Sequence, residues 1–393
     1  MRFPAIRLIV LGLVFLSQIY LCLRIRQAVQ SIRRSDEYKR RLLWGIGGVF
    51  GLLFTINTYM LFVPVVWVEP PLAVLLGLFY PVAVWNFGSL FSAALLCVAR
   101  TAGAIGRAAL RHRRPRRVPG TPVDQVRRRL LQAGVGSLAG APILLSGYGA
   151  AYAAKAYDVR ELTLPFGRRL RVVQLTDIHA GIYMRRNEIR RYAGEANRLQ
   201  PDLLVLTGDF ISNAMSYLPG CLAEMARVRA PLGTFATLGN HEHMYGQPEE
   251  IQAVFREYGI PLLHNAHRII STPGGPIAVV GVDDIQWGDP DLEAALRGLD
   301  PAIPRLLLSH RPEIFPAAAD RRIPLTLAGH WHGGQVTLRL PGAAVSFAHF
   351  RTPYPEGLYR LGISHLYVSR GIGTTATPVR LNAPPEVTLF HLT

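Results

Sequence analysis

The chain has 393 residues, half of them hydrophobic, and a formal net charge of +17. Residues 1–129 contain 19 of the 43 Lys and Arg residues but only 4 of the 26 Asp and Glu residues, so the rest of the chain is nearly neutral. Because this positive charge flanks apolar stretches rather than lying on a folded domain, it argues against nucleic-acid binding and indicates membrane topology. Cys22, Cys97 and Cys221 are too few and too scattered for a zinc knuckle or for a disulfide within the C-terminal region.

Residues 1–156 form a predicted membrane region with about four transmembrane helices. The apolar stretches are Ile6–Leu23, Leu42–Val66, Leu72–Val98 and a weaker fourth one, Leu130–Ala154, which is rich in Gly, Ala and Ser. The first three are long enough to cross a bilayer as helices. A signal peptide is the alternative for the first stretch, but further spans follow it and no small-residue cleavage site precedes Arg24, which favours a transmembrane helix.

Two basic blocks, Arg24–Arg41 and Arg100–Arg129, predict the orientation of this region. The positive-inside rule places both blocks in the cytoplasm, so a crossing fourth helix puts the C-terminal domain outside the cytoplasm at a cell inner membrane. If the fourth stretch does not cross, the domain faces the cytoplasm instead. Arg127 and Arg128 also resemble a twin-arginine export signal, with an ordinary basic helix flank as the alternative, and both alternatives send the domain to the same side.

From Tyr157 onwards predicted strands alternate with predicted helices, a pattern typical of α/β domains. The predicted strands are 158–164, 169–175, 203–207, 234–238, 277–282, 306–309, 324–328, 335–340, 365–369 and 387–392. The predicted helices are 187–199, 221–228, 248–258 and 291–299.

Polar clusters follow five of these strands directly. They are Asp177-x-His179, Gly208-Asp209, Gly239-Asn240-His241-Glu242, His310 and Gly329-His330-Trp331-His332. Sites in α/β sheets form at the carboxyl ends of the strands, so these side chains are expected to meet at one edge. Carboxylate, amide and imidazole groups together suit borderline divalent metal ions. The sequence therefore predicts a metal centre at this edge.

In this order the motifs D-x-H, G-D, G-N-H-E, H and G-H-W-H resemble those of the calcineurin-like metallophosphoesterases, over the chain from about Tyr157 to its end. The resemblance implies an α/β fold for residues 157–393, a two-sheet β-sandwich flanked by helices, preceded here by the α-helical transmembrane region. It also implies two divalent metal ions, the first held by Asp177, His179 and His332 and the second by Asn240, His310 and His330. Asp209 would bridge them, since the two oxygens of a carboxylate can bind both ions at once.

The resemblance further implies that His241 is catalytic without binding metal, because an imidazole can act as a general acid near neutral pH. Glu242 is expected to orient that imidazole, with a surface position as its alternative. Such ligands accept Mn, Fe or Zn. Trp331 departs from the family pattern, in which smaller residues are common, and we expect it to pack rather than to wall the site.

The implied activity is metal-dependent hydrolysis of a phosphoester by an activated water, with a lipid-linked phosphodiester as the expected substrate because the membrane region would hold the enzyme near lipids. A UDP-2,3-diacylglucosamine-type pyrophosphatase is the alternative, and it requires a cytoplasmic site. A non-catalytic metal-binding membrane module is an alternative of another class, disfavoured because every ligand position is filled. The segment Pro341–Tyr359, rich in Gly, Pro and aromatic residues, is interpreted as a loop that caps the site or touches lipid.

Overall fold

The computed structural model describes residues 3–62, 70–109, 134, 136–137 and 139–393. Contacts divide the chain into two compact units, one formed by the N-terminal helices up to Tyr148 and the other including Gly149–Thr393. The second unit begins with a π-helical turn, Gly149–Ala153. The domain boundary after residue 156 stays a prediction.

The first unit is helical, with elements at Phe3–Gln30, Asp36–Phe62, Leu72–Val74, Leu75–Phe79 (a π-helix) and Tyr80–Ala109. Three spans, Leu8–Gln30, Asp36–Tyr59 and Leu72–Gly106, are long and apolar enough to cross a membrane. The fourth predicted stretch is helical over 139–148, while its start, most of the second basic block and the twin-arginine pair lie outside the described residues.

Amide side chains link the three long helices of this unit. Asn57 and Asn86 donate to each other, at 3.0 and 2.6 Å, and Gln18 also donates to Asn86 Oδ1 at 3.0 Å. Interhelical hydrogen bonds of this kind help to hold helices together where lipid gives no hydrophobic driving force.

The second unit contains two mixed sheets and a separate hairpin. The first sheet has the order β1-β13-β2-β3-β4 and the second has the order β11-β12-β8-β7-β6-β5, while β9 and β10 pair only with each other. The strands are β1 (Asp158–Leu164), β2 (Leu170–Leu175), β3 (Leu203–Thr207), β4 (Thr234–Thr237), β5 (Ala266–Ile270), β6 (Ile277–Gly281), β7 (Arg305–Leu308), β8 (Leu325–Ala328), β9 (Leu338–Leu340), β10 (Ala343–Val345), β11 (Gly357–Leu361), β12 (Ser364–Val368) and β13 (Glu386–Leu392).

Alternation along the strands builds a layered core. Val172 and Val205 of the first sheet pack in one cluster with Leu306 and Leu327 of the second, so this cluster joins the facing sides of the two sheets. The intervening residues of the first sheet point to helices on its outer side, and those of the second sheet do the same. Because side chains alternate along a strand, each sheet is apolar on both faces. This arrangement confirms the predicted two-sheet sandwich flanked by helices.

Four of the six helices of the second unit lie where the sequence predicted a helix, with different bounds. The six helices are Arg186–Arg198, Leu218–Met225, Asn240–Tyr245, Pro248–Glu257, Leu292–Leu296 and Phe315–Asp320. The predicted helix at 291–299 is therefore wrong in length, since Arg297 leaves helical geometry. Helices Asn240–Tyr245 and Phe315–Asp320 and strands β5, β10 and β11 were not predicted, because each is short and partly exposed and so carries little periodicity.

The predicted strand at 335–340 is also wrong at its start. Residues His332–Gly334 form a 3-10 turn, and Gln335 adopts a φ of 60°, which is incompatible with a strand. The Gln335 side chain instead forms hydrogen bonds with the backbone of Thr375 and Thr377, which fixes the turn that follows His332.

Candidate metal centre

The predicted site residues all follow carboxyl ends of parallel strands. Asp177 and His179 come after β2, Asp209 after β3, and Asn240 and His241 after β4, while His310 follows β7 and both His330 and His332 follow β8. Strands β2, β3 and β4 are parallel, as are β7 and β8. The two sheets therefore bring these side chains to one common edge, as the sequence predicted.

Backbone geometry at this edge is unusual. Asp177, His179, Asp209, His330 and His332 all have φ values between 50° and 74°, a region that non-glycine residues seldom adopt. Their backbones turn sharply just beyond the strands, so their side chains converge. Such conformations persist only where surrounding contacts hold them, and they concentrate at functional sites.

Asp177, His179 and His332 form a first set of converging ligand-type atoms. Nε2 of His179 lies 3.0 Å from Nε2 of His332, which in turn lies 3.3 Å from Oδ1 of Asp177. The carboxylate is oriented by the Thr176 hydroxyl at 2.9 Å and by the backbone N–H of His330 at 3.0 Å. All three side chains are buried.

His310, His330 and Asn240 form the second set. Nε2 of His310 lies 3.1 Å from Nδ1 of His330 and 3.2 Å from Oδ1 of Asn240. His310 Nδ1 lies 2.9 Å from the carbonyl oxygen of Thr207 and is therefore its donor, which leaves Nε2 free to face the centre.

Asp209 lies between the two sets. Its Oδ2 is 3.3 Å from Nε2 of His310 and 3.6 Å from Nε2 of His179. Its Oδ1 accepts a hydrogen bond from the backbone N–H of His241 at 2.9 Å. The sequence suggested that each carboxylate oxygen would serve one ion, whereas here one oxygen faces both sets and the other holds the backbone.

These atoms fit divalent metal ions. Two nitrogens that each lie about 2.1 Å from one ion at a right angle are about 3.0 Å apart. The nitrogen pairs of the two sets are 3.0 and 3.1 Å apart. Neutral imidazoles and carboxylates at such spacing, buried together, need a cation or protons to balance them.

When no metal is bound, protons would balance the negative charge of the buried carboxylates. Burial disfavours a charged His310, but the adjacent Asp209 carboxylate outweighs burial and raises the pKa of His310 to about 10. Burial holds the pKa of His179 and of His332 below the ordinary value. These directions favour a proton on His310, beside Asp209, over one on His179 or His332.

We expect metal binding to release a proton and to weaken as the pH falls, because His310 must lose its proton to become a ligand. A raised pKa means that the protonated form predominates below it, so acidification favours the proton over the ion. Calorimetric titration of the metal-free chain in buffers of different ionisation enthalpy measures proton release per ion. Affinity that is constant across neutral and mildly acidic pH would contradict the expectation.

His241 sits beside the two sets without the contacts of a predicted ligand. Its Nδ1 lies 2.6 Å from the carbonyl oxygen of Ser212 and therefore donates to it, so Nε2 faces the centre, 3.9 Å from Oδ2 of Asp209. Its side chain is 14 % exposed, so a substrate could reach it. The atoms of His179, Asp209 and His241 nevertheless lie close enough to share an ion, so metal content must be part of any test of this residue.

Glu242 does not orient His241, contrary to the expectation, because that role belongs to the Ser212 carbonyl group. The Glu242 side chain is fully buried and accepts hydrogen bonds from the backbone N–H groups of Asp209, Phe210, Ile211 and Gly239, at 2.8 to 3.3 Å. It thereby holds the strained turn at Asp209 against the start of helix Asn240–Tyr245. The surface alternative is also wrong.

Glu242→Gln is expected to lower activity about 10- to 100-fold, the usual range for residues that support ligands, and to lower the melting temperature. The side-chain amide of Gln would place N–H donors opposite backbone N–H groups that need an acceptor. The loss of these hydrogen bonds would loosen the turn at Asp209. The hydrolysis rate, a metal titration and thermal unfolding of the full chain measure these effects. Glu257→Gln, at an exposed position, is the control. Unchanged metal affinity and rate would contradict this role.

Two buried arginines also contact the predicted ligands, and motif reasoning missed both. Nη2 of Arg311 lies 3.3 Å from Oδ1 of Asn240 while Nε binds Asp284, so Arg311 orients the amide oxygen. Nη2 of Arg380 lies 2.9 Å from Nδ1 of His332, and its other donors bind the carbonyl groups of Gly373 and Ala383. The position of Arg311 next to His310 was a signal available in the sequence. For Arg380 the only available signal was a single cationic residue in an apolar, proline-rich segment.

Trp331 packs against the second set. Its ring lies 4.8 Å from that of His330 in an edge-on contact, and Nε1 donates to Oε1 of Glu313 at 2.9 Å. This geometry agrees with the packing interpretation, and the ring thereby restrains His330.

Comparison with known proteins identifies the family. The family model described as calcineurin-like phosphoesterase matches residues 170–342. The metallophosphoesterase YkuE of Bacillus subtilis is 30% identical over 279 residues, which cover 68% of this chain and 97% of that protein. The chain belongs to the calcineurin-like metallophosphoesterase family. It is therefore a hydrolase that acts on phosphoester bonds.

Two further relatives bear on this metallophosphoesterase. The phosphodiesterase YaeI of Escherichia coli is 32% identical, with 56% of this chain and 82% of that protein covered. A protein of Bos taurus described as a transmembrane protein with metallophosphoesterase domain is 32% identical, with 58% of this chain and 54% of that protein covered. Among the described residues, three helices are long and apolar enough to cross a membrane, and this metallophosphoesterase is a membrane protein.

Proposed function

We propose that this membrane protein is a phosphodiesterase that works with two divalent metal ions. Asp177, His179 and His332 would hold one ion, Asn240, His310 and His330 would hold the other, and Asp209 would belong to both sets. The observation that carries the proposal is the position of Asp209 Oδ2, which lies 3.3 Å from a nitrogen of one set and 3.6 Å from a nitrogen of the other. The similarity to a protein named as a phosphodiesterase supports a diester as the substrate.

The ions would supply Lewis acidity, which activates water and offsets phosphate charge. The protein's own residues perform the remaining steps. His241 keeps its Nδ1 proton, which it donates to the Ser212 carbonyl oxygen, and directs Nε2 towards Asp209. From there a protonated His241 would give its Nε2 proton to the leaving oxygen, which otherwise departs as a poorly stabilised anion.

We also propose that residues 157–393 form the catalytic domain, that it lies outside the cytoplasm at a cell inner membrane, and that its substrate is lipid-linked. The basic blocks that flank the spans support this orientation through the positive-inside rule. Protease treatment of intact cells tests it, and a fully protected domain would contradict it.

Hydrolysis of bis-p-nitrophenyl phosphate by the detergent-solubilised full chain tests the activity. The protein is stripped of metal and refilled with Mn, Zn, Fe, Mg or Ca, one at a time. We expect activity to return with a transition metal, since imidazole-rich sites favour such ions over Mg and Ca. A folded chain that is inactive with every metal would contradict a general phosphodiesterase and direct the assay to an acylated UDP-sugar.

A further inference from the structure

The hairpin of β9 (Leu338–Leu340) and β10 (Ala343–Val345) exposes its apolar face. Val345 pairs with Leu338 and Ala343 pairs with Leu340. Residues directly opposite each other in an antiparallel pair, and residues two apart on a strand, point to the same side. These four side chains therefore share one face, on which Leu338 is 58% exposed, Leu340 51% and Val345 39%.

The charged residue of this hairpin is held by contacts with the protein, although its side chain is 44% exposed. Nη2 of Arg339 lies 2.6 Å from Oε1 of Glu356, and its Nε donates to the carbonyl oxygen of Asn382 at 2.9 Å. Asn382 in turn donates to the carbonyl oxygen of Thr337 at 3.0 Å. A two-stranded ribbon in water normally turns its charged side chains outwards and its apolar ones inwards. Here the apolar side chains face solvent, while an ion pair and hydrogen bonds tie the charged side chain to the protein.

Two exposed aromatic side chains follow this apolar face in the sequence. After Val345, a short turn exposes Phe347 at 70% and Phe350 at 78%. The turn itself is anchored, because Ala348 is fully buried and the Ser346 hydroxyl pairs with Nδ1 of His349 at 2.7 Å. The exposure of the two rings is thus a property of a fixed turn. We call residues 338–350 the apolar hairpin.

We propose that the apolar hairpin inserts into the interface of the bilayer that anchors this chain, and that it presents lipid phosphodiesters to the metal centre. The presentation of lipid phosphodiesters rests on the function proposed above. The described part of the same chain carries three helices able to span a membrane, and this tether keeps a lipid surface within reach of the domain. Phe and Leu side chains are typical of faces that bury at the boundary of headgroups and acyl chains, and the exposed Arg351 that follows Phe350 suits anionic headgroups.

The apolar hairpin also connects directly to the metal centre. Leu338 follows His332 by six residues, which limits their separation to about 20 Å of extended chain. At its base, the Thr337 hydroxyl donates to the carbonyl oxygen of Gly333. A Cβ at Gly334 would lie 2.1 Å from the Ser346 hydroxyl, so the second arm packs onto the glycine turn. The start of the hairpin therefore lies within about 20 Å of a predicted metal ligand, His332.

Fluorescence quenching by the lipid tests insertion in the full chain. A Phe347→Cys variant, with Cys22 and Cys97 replaced by Ala, is labelled with a nitrobenzoxadiazole dye and reconstituted into vesicles of phosphatidylcholine and phosphatidylglycerol. Cys221 stays unlabelled because it is fully buried, and burial raises the pKa of its thiol. We expect roughly twofold or greater quenching by lipids that carry a doxyl group near the headgroup, since interfacial insertion is shallow.

The matched control is Glu257→Cys, an exposed position at the end of helix Pro248–Glu257. Quenching at position 347 that does not exceed that at position 257 overturns the proposal. A dye at 347 that is shielded from water but not quenched by the doxyl lipid also overturns it, because a second copy or another part of the chain then covers the face.

Activity measurements separate this inference from the proposed function. Leu340→Ser with Phe347→Ser should slow cleavage of a headgroup-labelled phosphatidylethanolamine in vesicles about tenfold, since less apolar area is buried. Its rate with bis-p-nitrophenyl phosphate should not change. Val159→Ser with Ile269→Ser removes exposed apolar side chains elsewhere and should change neither rate.

Loss of both rates in the hairpin variant would overturn the inference, because the hairpin would then support the fold or the centre. Cleavage of the soluble diester but not of the lipid by the unmodified chain would refute lipid presentation and leave the proposed function standing. Failure to cleave either substrate would refute the proposed function, while the quenching result would still decide whether the hairpin inserts.

Discussion

Replacing Asp209 by Asn is expected to lower phosphodiester hydrolysis by about 10³-fold or more, since the ions contribute several kcal/mol to the transition state. One oxygen of Asp209 faces His310 at 3.3 Å and His179 at 3.6 Å, and the other accepts the His241 N–H. An Asn must place its NH₂ group in one of these positions. If the amide nitrogen faces the two sets, it has no lone pair with which to bind an ion. If it faces the backbone N–H of His241, it places one donor opposite another.

Metal analysis together with the rate measures this effect. We expect Asp209→Asn to retain less than one ion per chain after desalting, since both sets lose a shared ligand. Asp291→Asn is the matched control, because Asp291 also accepts a backbone N–H, from Ala294 at 2.8 Å, and is exposed and away from the centre. Normal metal content and a normal rate in Asp209→Asn would overturn the shared role.

His241→Ala is expected to slow the hydrolysis of a diester with an alkoxide leaving group about 10²- to 10⁴-fold, the contribution of a positioned general acid or base. Two ions should remain bound, because the contacts of each predicted set are complete without His241. His391→Ala, at an exposed imidazole that pairs with Glu161, is the control and should keep the rate. Loss of metal from His241→Ala would instead make His241 a ligand, as its proximity to His179 and Asp209 allows.

The choice of leaving group makes this test more specific. A proton donated to the leaving oxygen matters little for p-nitrophenolate, which is stable as an anion, and much more for an alkoxide. The deficit of His241→Ala should therefore grow as the leaving group becomes more basic. A deficit that is equal for aryl and alkyl diesters would indicate that His241 stabilises phosphate charge and does not transfer the proton.

Local patterns in the sequence determined the strands that lead into the centre and the positions of the ligand-type residues. Apolar runs such as Leu203–Thr207 are buried along their whole length, and the polar residues that follow lie at the carboxyl edge. This worked because parallel strands in a sandwich leave one edge where such residues can meet. The same logic failed at Gln335, since a side chain that binds Thr375 and Thr377 outweighs strand propensity there.

The tertiary structure alone decided how the centre is supported. Glu242 holds the backbone of Asp209, 33 residues earlier, and Arg380 contacts His332, 48 residues earlier. Likewise, Arg339 of the hairpin pairs with Glu356, 17 residues later. Hydrophobic periodicity reports only which side of its own element a residue occupies. Contacts between residues distant in the chain arise when the two sheets pack, so no local pattern records them.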